Sequence, residues 1–263
     1  MNLRLFAFLA GCTAAIGVAT ASETVVVTPV NMHGWAFIND ILGGPCVAPN
    51  CEMVNGPQNP PAGKGSAHFL LTSRSQGNIL AAGIRQGTRL DHIEKLNYST
   101  YETSAAGPLA IALQFVIDFD LTDTNTNYQG RMVYEPYLNG TVALQTWQTW
   151  DALDGGNARW WFTRAPGNIP CGQSSPCTLA AIKAMYPNIG IHNTLGAVIF
   201  KAGSSWASFD GNVDKLTIGV LGAEDTTYDF ELGPTNKEEC KDGGWVGFFK
   251  NQGQCVSHFN HDE

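Results

Sequence analysis

Residues 111–121 read Ile-Ala-Leu-Gln-Phe-Val-Ile-Asp-Phe-Asp-Leu, and this stretch decides the fold class. Ile111, Leu113, Phe115, Ile117, Phe119 and Leu121 take every second position, with Ala112, Gln114, Val116, Asp118 and Asp120 between them. Successive side chains of a strand point to opposite faces, so the alternation predicts a strand with one apolar face and one mostly polar face. Working outward, similar strand patterns occupy 66–72, 95–102, 130–137, 146–152, 195–201, 212–219 and 227–232. Gly43-Gly44-Pro45, Asn59-Pro60-Pro61 and Asp154-Gly155-Gly156 punctuate the gaps as turn formers. One short helix is predicted at 178–185, where Thr178 precedes Leu-Ala-Ala-Ile-Lys-Ala-Met and Pro187 stops the run. Many short strands without alternating helices predict an all-β, antiparallel sandwich rather than an α/β fold.

The N-terminus has the pattern of an export signal at 1–21. A single charge, Arg4, precedes an apolar run from Leu5 to Val18, and Ala19-Thr20-Ala21 places cleavage before Ser22. Leu9-Ala10-Gly11-Cys12 also matches a bacterial lipoprotein cysteine, but the apolar run continues unbroken past it, which favours release over a lipid anchor. No segment is long or apolar enough to predict a transmembrane helix. The chain is therefore expected to be secreted, to the extracellular space or a periplasm.

Beyond the signal, six cysteines fall into three close pairs in Gly/Pro/Asn-rich stretches, and local disulfides are the simple reading: Cys46–Cys51, Cys171–Cys177 and Cys240–Cys255. The spacings fit zinc modules poorly. A net charge of −8 with only 15 Lys and Arg argues against a nucleic-acid groove or an anionic membrane surface as partner. A boundary is expected at Gly233-Pro234, dividing a sandwich at 22–233 from a hydrophilic tail at 234–263, too small for a core of its own and closed by its two cysteines.

Four stretches carry a resemblance: Gly34-Trp35-Ala36-Phe37, Pro60-Pro61-Ala62-Gly63-Lys64-Gly65-Ser66-Ala67, residues 209–219, and Tyr228-Asp229-Phe230-Glu231. Together they resemble secreted bacterial jelly-roll domains of the carbohydrate-binding-module and laminin-G-like type. That resemblance implies a jelly-roll sandwich whose final strand pairs near the first, and a glycan or cell-surface partner. The tail, Cys240-Lys241-Asp242-Gly243-Gly244-Trp245 through Lys250-Asn251-Gln252-Gly253-Gln254-Cys255-Val256-Ser257, resembles a C-terminal tail found on bacterial exported proteins.

Aromatic residues mark the candidate ligand site. Trp147, Trp150, Trp160 and Trp161 lie close together in sequence, with Tyr134 and Tyr137 just before them. An exposed ring can stack on the apolar C–H face of a sugar while Gln145, Gln148, Asp151 and Arg159 hold its hydroxyls. Equally, Trp is a large core residue, and in an extended segment Trp160 and Trp161 face opposite ways. Asp118, Asp120 and Asp123 form a D-x-D-x-x-D run that is a candidate structural calcium site, although it departs from an EF-hand loop and a solvated turn uses the same residues. No catalytic residue is assigned. A glycosidase needs two facing carboxylates, for which Glu102, Glu135 and Asp151 are the candidates, and neither a G-x-S-x-G elbow nor an H-E-x-x-H helix is present. These readings predict a non-catalytic binding protein for extracellular carbohydrate or a cell-surface component. The alternatives are a sandwich-fold glycoside hydrolase or lyase, and a structural or adhesive surface protein.

Overall fold

The computed structural model describes residues 22–164, 171–241 and 243–260. The expected signal at 1–21, with Cys12, lies outside the described residues. In chain order the first strands are β1 (Ser22–Val27), β2 (Trp35–Asn39), β3 (Gly44–Pro45), β4 (Cys51–Asn55), β5 (Gly65–Leu71) and β6 (Gly77–Ala82). They continue as β7 (Ile93–Ala105), β8 (Ala112–Asp118), β9 (Arg131–Tyr134), β10 (Gln148–Asp151), β11 (Arg159–Phe162) and β12 (Cys177–Thr178). Helix α1 (Leu179–Met185), β13 (Gly190–Ile191), β14 (Val198–Gly203), β15 (Phe209–Val220), β16 (Asp225–Phe230) and helix α2 (Gln252–His258) follow, with short 3-10 turns at Leu90–His92, Pro136–Leu138 and Asp154–Gly156.

The strands form a two-sheet sandwich. One sheet runs β1-β16-β15-β5-β4, with β7 also on β15 and β10 on β7; the other runs β12-β11-β9-β8-β14-β6-β2-β3, with β13 on β8. Every pairing between these strands is antiparallel except β1 with β16, which is parallel from Ser22 opposite Asp225 to Val27 opposite Phe230. The last strand thus lies beside the first.

Packing between the inner faces supplies the core. Trp35 of β2 stacks on Phe200 at 5.9 Å and meets Tyr228 and Phe230 of β16 edge-on at 5.5 and 5.2 Å, joining the two sheets. Tyr98, fully buried, donates its hydroxyl to the Ile111 carbonyl at 3.0 Å, so its one polar atom is satisfied inside the core.

The decisive stretch forms β8, shorter than its alternation predicts. After Asp118 the chain turns on its own side chains. Asp118 Oδ1 accepts the Asp120 amide at 2.9 Å, and Asp120 Oδ1 accepts the Thr122 amide at 3.0 Å, diverting the backbone into Asx turns. The polar face of β8 is not solvated either. Gln114 is 5% and Asp118 1% exposed; Gln114 accepts Arg131 Nη1 at 3.3 Å and Asp118 accepts Gln129 Nε2 at 2.8 Å.

Helix α1 forms where predicted, with Thr178 Oγ1 accepting the Ala181 amide at 3.2 Å as an N-cap. All three cysteine pairs are disulfides: Cys46–Cys51, Cys171–Cys177 and Cys240–Cys255. The tail adds a second helix, α2, capped by the Asn251 side chain. Beneath the tail, the 60–65 loop is tied to the closing strands: the amide of Ala62 donates to Asp214 at 3.0 Å and that of Lys64 to Glu231 at 2.6 Å. Gly63 is required at the centre of this loop. Its φ is +49°, and a Cβ there would stand 1.5 Å from Glu231 Oε1.

Candidate functional site

Strand register builds a cleft on the outer face of the sheet that contains β8. Leu113, Phe115 and Ile117 point into the core, so Ala112, Gln114 and Val116 point outward. Across the neighbouring strands, Gln114 is opposite Val133 on one side and Ile199 on the other, and Val133 is opposite Trp161. Arg131 is opposite Val116, and Lys201 is opposite Ala112. Of these, Gln114, Trp161, Arg131 and Lys201, with Glu135, Tyr137, Gln173 and Trp206, line a cleft of about 490 Å³.

An ion cluster forms one wall. Asp40, just after β2, accepts Arg131 Nη2 at 2.7 Å and Nη1 at 2.9 Å, and it also accepts Lys201 Nζ. Arg131 Nη1 further reaches Gln114 Oε1 at 3.3 Å. Burial alone would raise the Asp40 carboxyl, but the hydrogen bonds and charges of Arg131 and Lys201 outweigh it and hold the group below the usual carboxylate range. Asp40 is therefore ionised.

Glu135, just past the end of β9 and 7% exposed, also lines the cleft and accepts Gln173 Nε2 at 3.2 and 3.3 Å. The same amide lies 3.4 Å from the Tyr137 hydroxyl. Burial, and then the Glu135 charge beside it, push the Tyr137 phenol up to about 12, so it stays a neutral donor. Gln173 sits within the Cys171–Cys177 loop, and that short bridge fixes where its amide can reach. Trp206 enters from the β14–β15 connection. It packs on Phe209 with ring centres 5.0 Å apart, while Arg74 and Ser205 exchange hydrogen bonds that brace the loop.

The tertiary structure disperses the tryptophans grouped in sequence. Trp160 is fully buried, donates Nε1 to the Ala152 carbonyl at 3.0 Å and stacks on Phe115; it is a core residue and cannot stack on a ligand. Trp150 is 7% exposed, faces the core beside Tyr98 and donates to Thr100 Oγ1 at 2.9 Å. Trp147 is half-buried beyond the other sheet, where it packs against Tyr101 and donates to the Pro57 carbonyl. Of the five aromatic candidates only Trp161 and Tyr137 line the cleft. The reason is strand parity: Trp160 and Trp161 are adjacent and must leave β11 on opposite sides.

Candidate carboxylates separate too. Glu102 is fully buried in β7 and Asp151 is exposed on β10, so neither joins Glu135 in the cleft. Asp118, Asp120 and Asp123 each bind a backbone amide two residues ahead instead of converging on one point. Among the described residues no group of three His, Cys, Asp or Glu side chains is placed to hold a metal ion. Asp40, Lys201, Gln173 and Trp206 were not marked by the sequence. Their separation along the chain leaves no local signal, although the unpaired Trp206 between Gly203-Ser204-Ser205 and Phe209 is an aromatic on a turn.

No protein-family model matches the chain, and no curated protein matches it. Among solved structures it is similar to a family 11 carbohydrate-binding module from Clostridium thermocellum in complex with a β-1,3-1,4-mixed-linked tetrasaccharide. Identity is 13% and the TM-score 0.34, over 73% of this chain and 97% of that one. The family 11 module of the cellulosomal cellulase Lic26A-Cel5E of Clostridium thermocellum gives 11% and 0.37, over 73% and 89%. A family 30 carbohydrate-binding module gives 10% and 0.40, over 84% of this chain and 92% of that one.

Proposed function

We propose that the protein is an exported, non-catalytic module that binds a glycan in the cleft between Trp161, Tyr137, Glu135 and Trp206. The observation that carries this reading is the combination in one cleft of aromatic rings with amide, phenol and carboxylate groups held in fixed orientations. Rings cover the C–H faces of sugars, and the polar groups match hydroxyls that both donate and accept. Glycosidic hydrolysis calls for two carboxylates at the bond, and Glu135 is the one carboxylate among the lining residues. Three disulfides suit an oxidising compartment, and among the described residues no helix is long and apolar enough to cross a membrane.

A glycan array followed by isothermal titration of each hit tests the proposal. Binding that is lost in Trp161→Ala supports it; absence of binding at millimolar glycan overturns it. Release of reducing sugar that disappears in Glu135→Gln would instead establish a hydrolase. Capture of cell envelope that soluble sugars fail to compete would establish an adhesive role.

A further inference from the structure

The cleft contains two cations, and its ligand class depends on whether they are free. They are not. Both Arg131 Nη groups donate to Asp40 and one of them also to Gln114, while Arg131 Nε is buried with no hydrogen-bond partner. Lys201 Nζ donates to the same carboxylate. Side-chain exposure is 18% for Arg131, 14% for Lys201 and 14% for Asp40, so the cluster is largely withdrawn from solvent. Glu135 adds a second carboxylate, with no ion-pair partner among the described residues, held by the Gln173 amide and beside the Tyr137 hydroxyl. Two cations and two anions cancel. Arg159 lies on the same side of β11 as Trp161 but outside the cleft lining.

An anionic ligand drawn to Arg131 must either displace Asp40, leaving a carboxylate buried without its partners, or approach an already neutralised pair while facing Glu135 as a like charge. A hydroxyl ligand displaces no ion and finds amide donors and a carboxylate acceptor ready. Resting on the glycan-binding reading above, we propose that Asp40 sets the ligand class of the cleft: by occupying Arg131 and Lys201 it makes the site select uncharged sugar chains over uronate- or sulfate-bearing ones. Asp40 touches no sugar in this role. It acts by withholding two cations, which makes it a specificity-determining residue placed on a turn outside the sheet.

The test is titration of the wild-type chain and Asp40→Asn with uncharged polymers (galactomannan, hydroxyethylcellulose, soluble β-glucan) and acidic ones (polygalacturonate, alginate, dextran sulfate) at low and physiological salt. Wild type is expected to bind at least one uncharged polymer and to bind every acidic one about tenfold more weakly or worse. Asp40→Asn is expected to gain about tenfold or more for an acidic polymer, with that gain lost as salt rises. Should Asp40→Asn fail to fold by circular dichroism, Asp40→Asn/Lys201→Gln, which leaves one unpaired cation, is expected to gain about threefold. Wild-type preference for polygalacturonate overturns the proposal but leaves glycan binding standing. A folded variant that gains nothing overturns the role of Asp40. Wild type that binds no polymer of either class overturns the glycan reading itself.

Discussion

Trp160 and Trp161 are neighbours in sequence and occupy different environments. Trp160 is sealed in the core on Phe115 and Tyr134, with ring centres 5.5 and 5.4 Å away, while Trp161 lines the cleft on the far side of the same strand. Their alanine variants are expected to separate stability from binding. Trp160→Ala should cost about 3–5 kcal/mol through the cavity it leaves, read as a fall in the chemical denaturation midpoint. Trp161→Ala should change stability by less than about 1.5 kcal/mol and weaken glycan affinity about tenfold, read by calorimetric titration. Equal destabilisation by both would contradict the assignment of the two faces.

Glu102 makes stability depend on pH. It is fully buried, and that burial pushes its pKa up to about 8. The folded chain therefore keeps the proton after the unfolded chain has lost it. Its contribution is complete below the ordinary carboxylate range and declines as pH rises from about 4.5 towards 8. Buried Asp214 and Asp229, raised to about 8 and about 6, act with the same sign. Between pH 5 and pH 8 Glu102 alone should account for a loss of about 3 kcal/mol in denaturant melts, and Asp214 and Asp229 should add to it. Glu102→Gln should make that slope shallower, and Glu102→Met should be the more stable chain at pH 8. An unchanged slope in both variants would refute the claim.

The Cys171–Cys177 bridge is expected to serve binding as well as stability. It closes a short loop whose Gln173 amide is the hydrogen-bond partner of Glu135. Cys171→Ser/Cys177→Ser should cost about 2 kcal/mol by releasing chain entropy. If the loop positions Gln173, affinity should also fall about threefold at a temperature where the variant is fully folded. Unaltered affinity in the folded variant would show that Gln173 is not part of the site.

The tail should be separable from binding. Its Phe248 ring comes close to Gly233, and it walls a pocket with Val26, Gly63, Asp229 and Glu231, away from the residues that line the cleft. A chain ended after Gly233 is expected to keep its β-type circular dichroism and its glycan affinity within about twofold. Its melting temperature should fall by about 2–8 °C, as expected for loss of one or two kcal/mol of peripheral packing. Loss of binding in this shortened, folded chain would implicate the tail in the site.

Much of the sandwich could be read from local pattern. Alternation through 111–121 marked β8 and the sign of its two faces, because side-chain period is a property of the strand itself. Thr178 and Pro187 bounded α1 for equally local reasons, and close cysteine spacing made local pairing the simple reading, as the three disulfides bear out. Strands β1, β2, β3, β4, β6, β11, β12 and β13 were not among the predicted ones. The residues of β6, Gly77–Ala82, are buried along nearly their whole length, so no apolar–polar alternation distinguishes them.

The all-β class, the position of the alternating strand, the helix and the three local cysteine pairs follow from residues within a few positions of one another. Which aromatic rings line the cleft and how its charges pair depend on contacts between distant parts of the chain. Trp161, Gln114 and Lys201 meet through strand register, and Asp40 reaches Arg131 across 91 residues of chain. Shifting one strand by a single residue would exchange its core and cleft faces. The cleft is therefore a property of how strands pair, and the ion cluster that governs its charge exists only once they have.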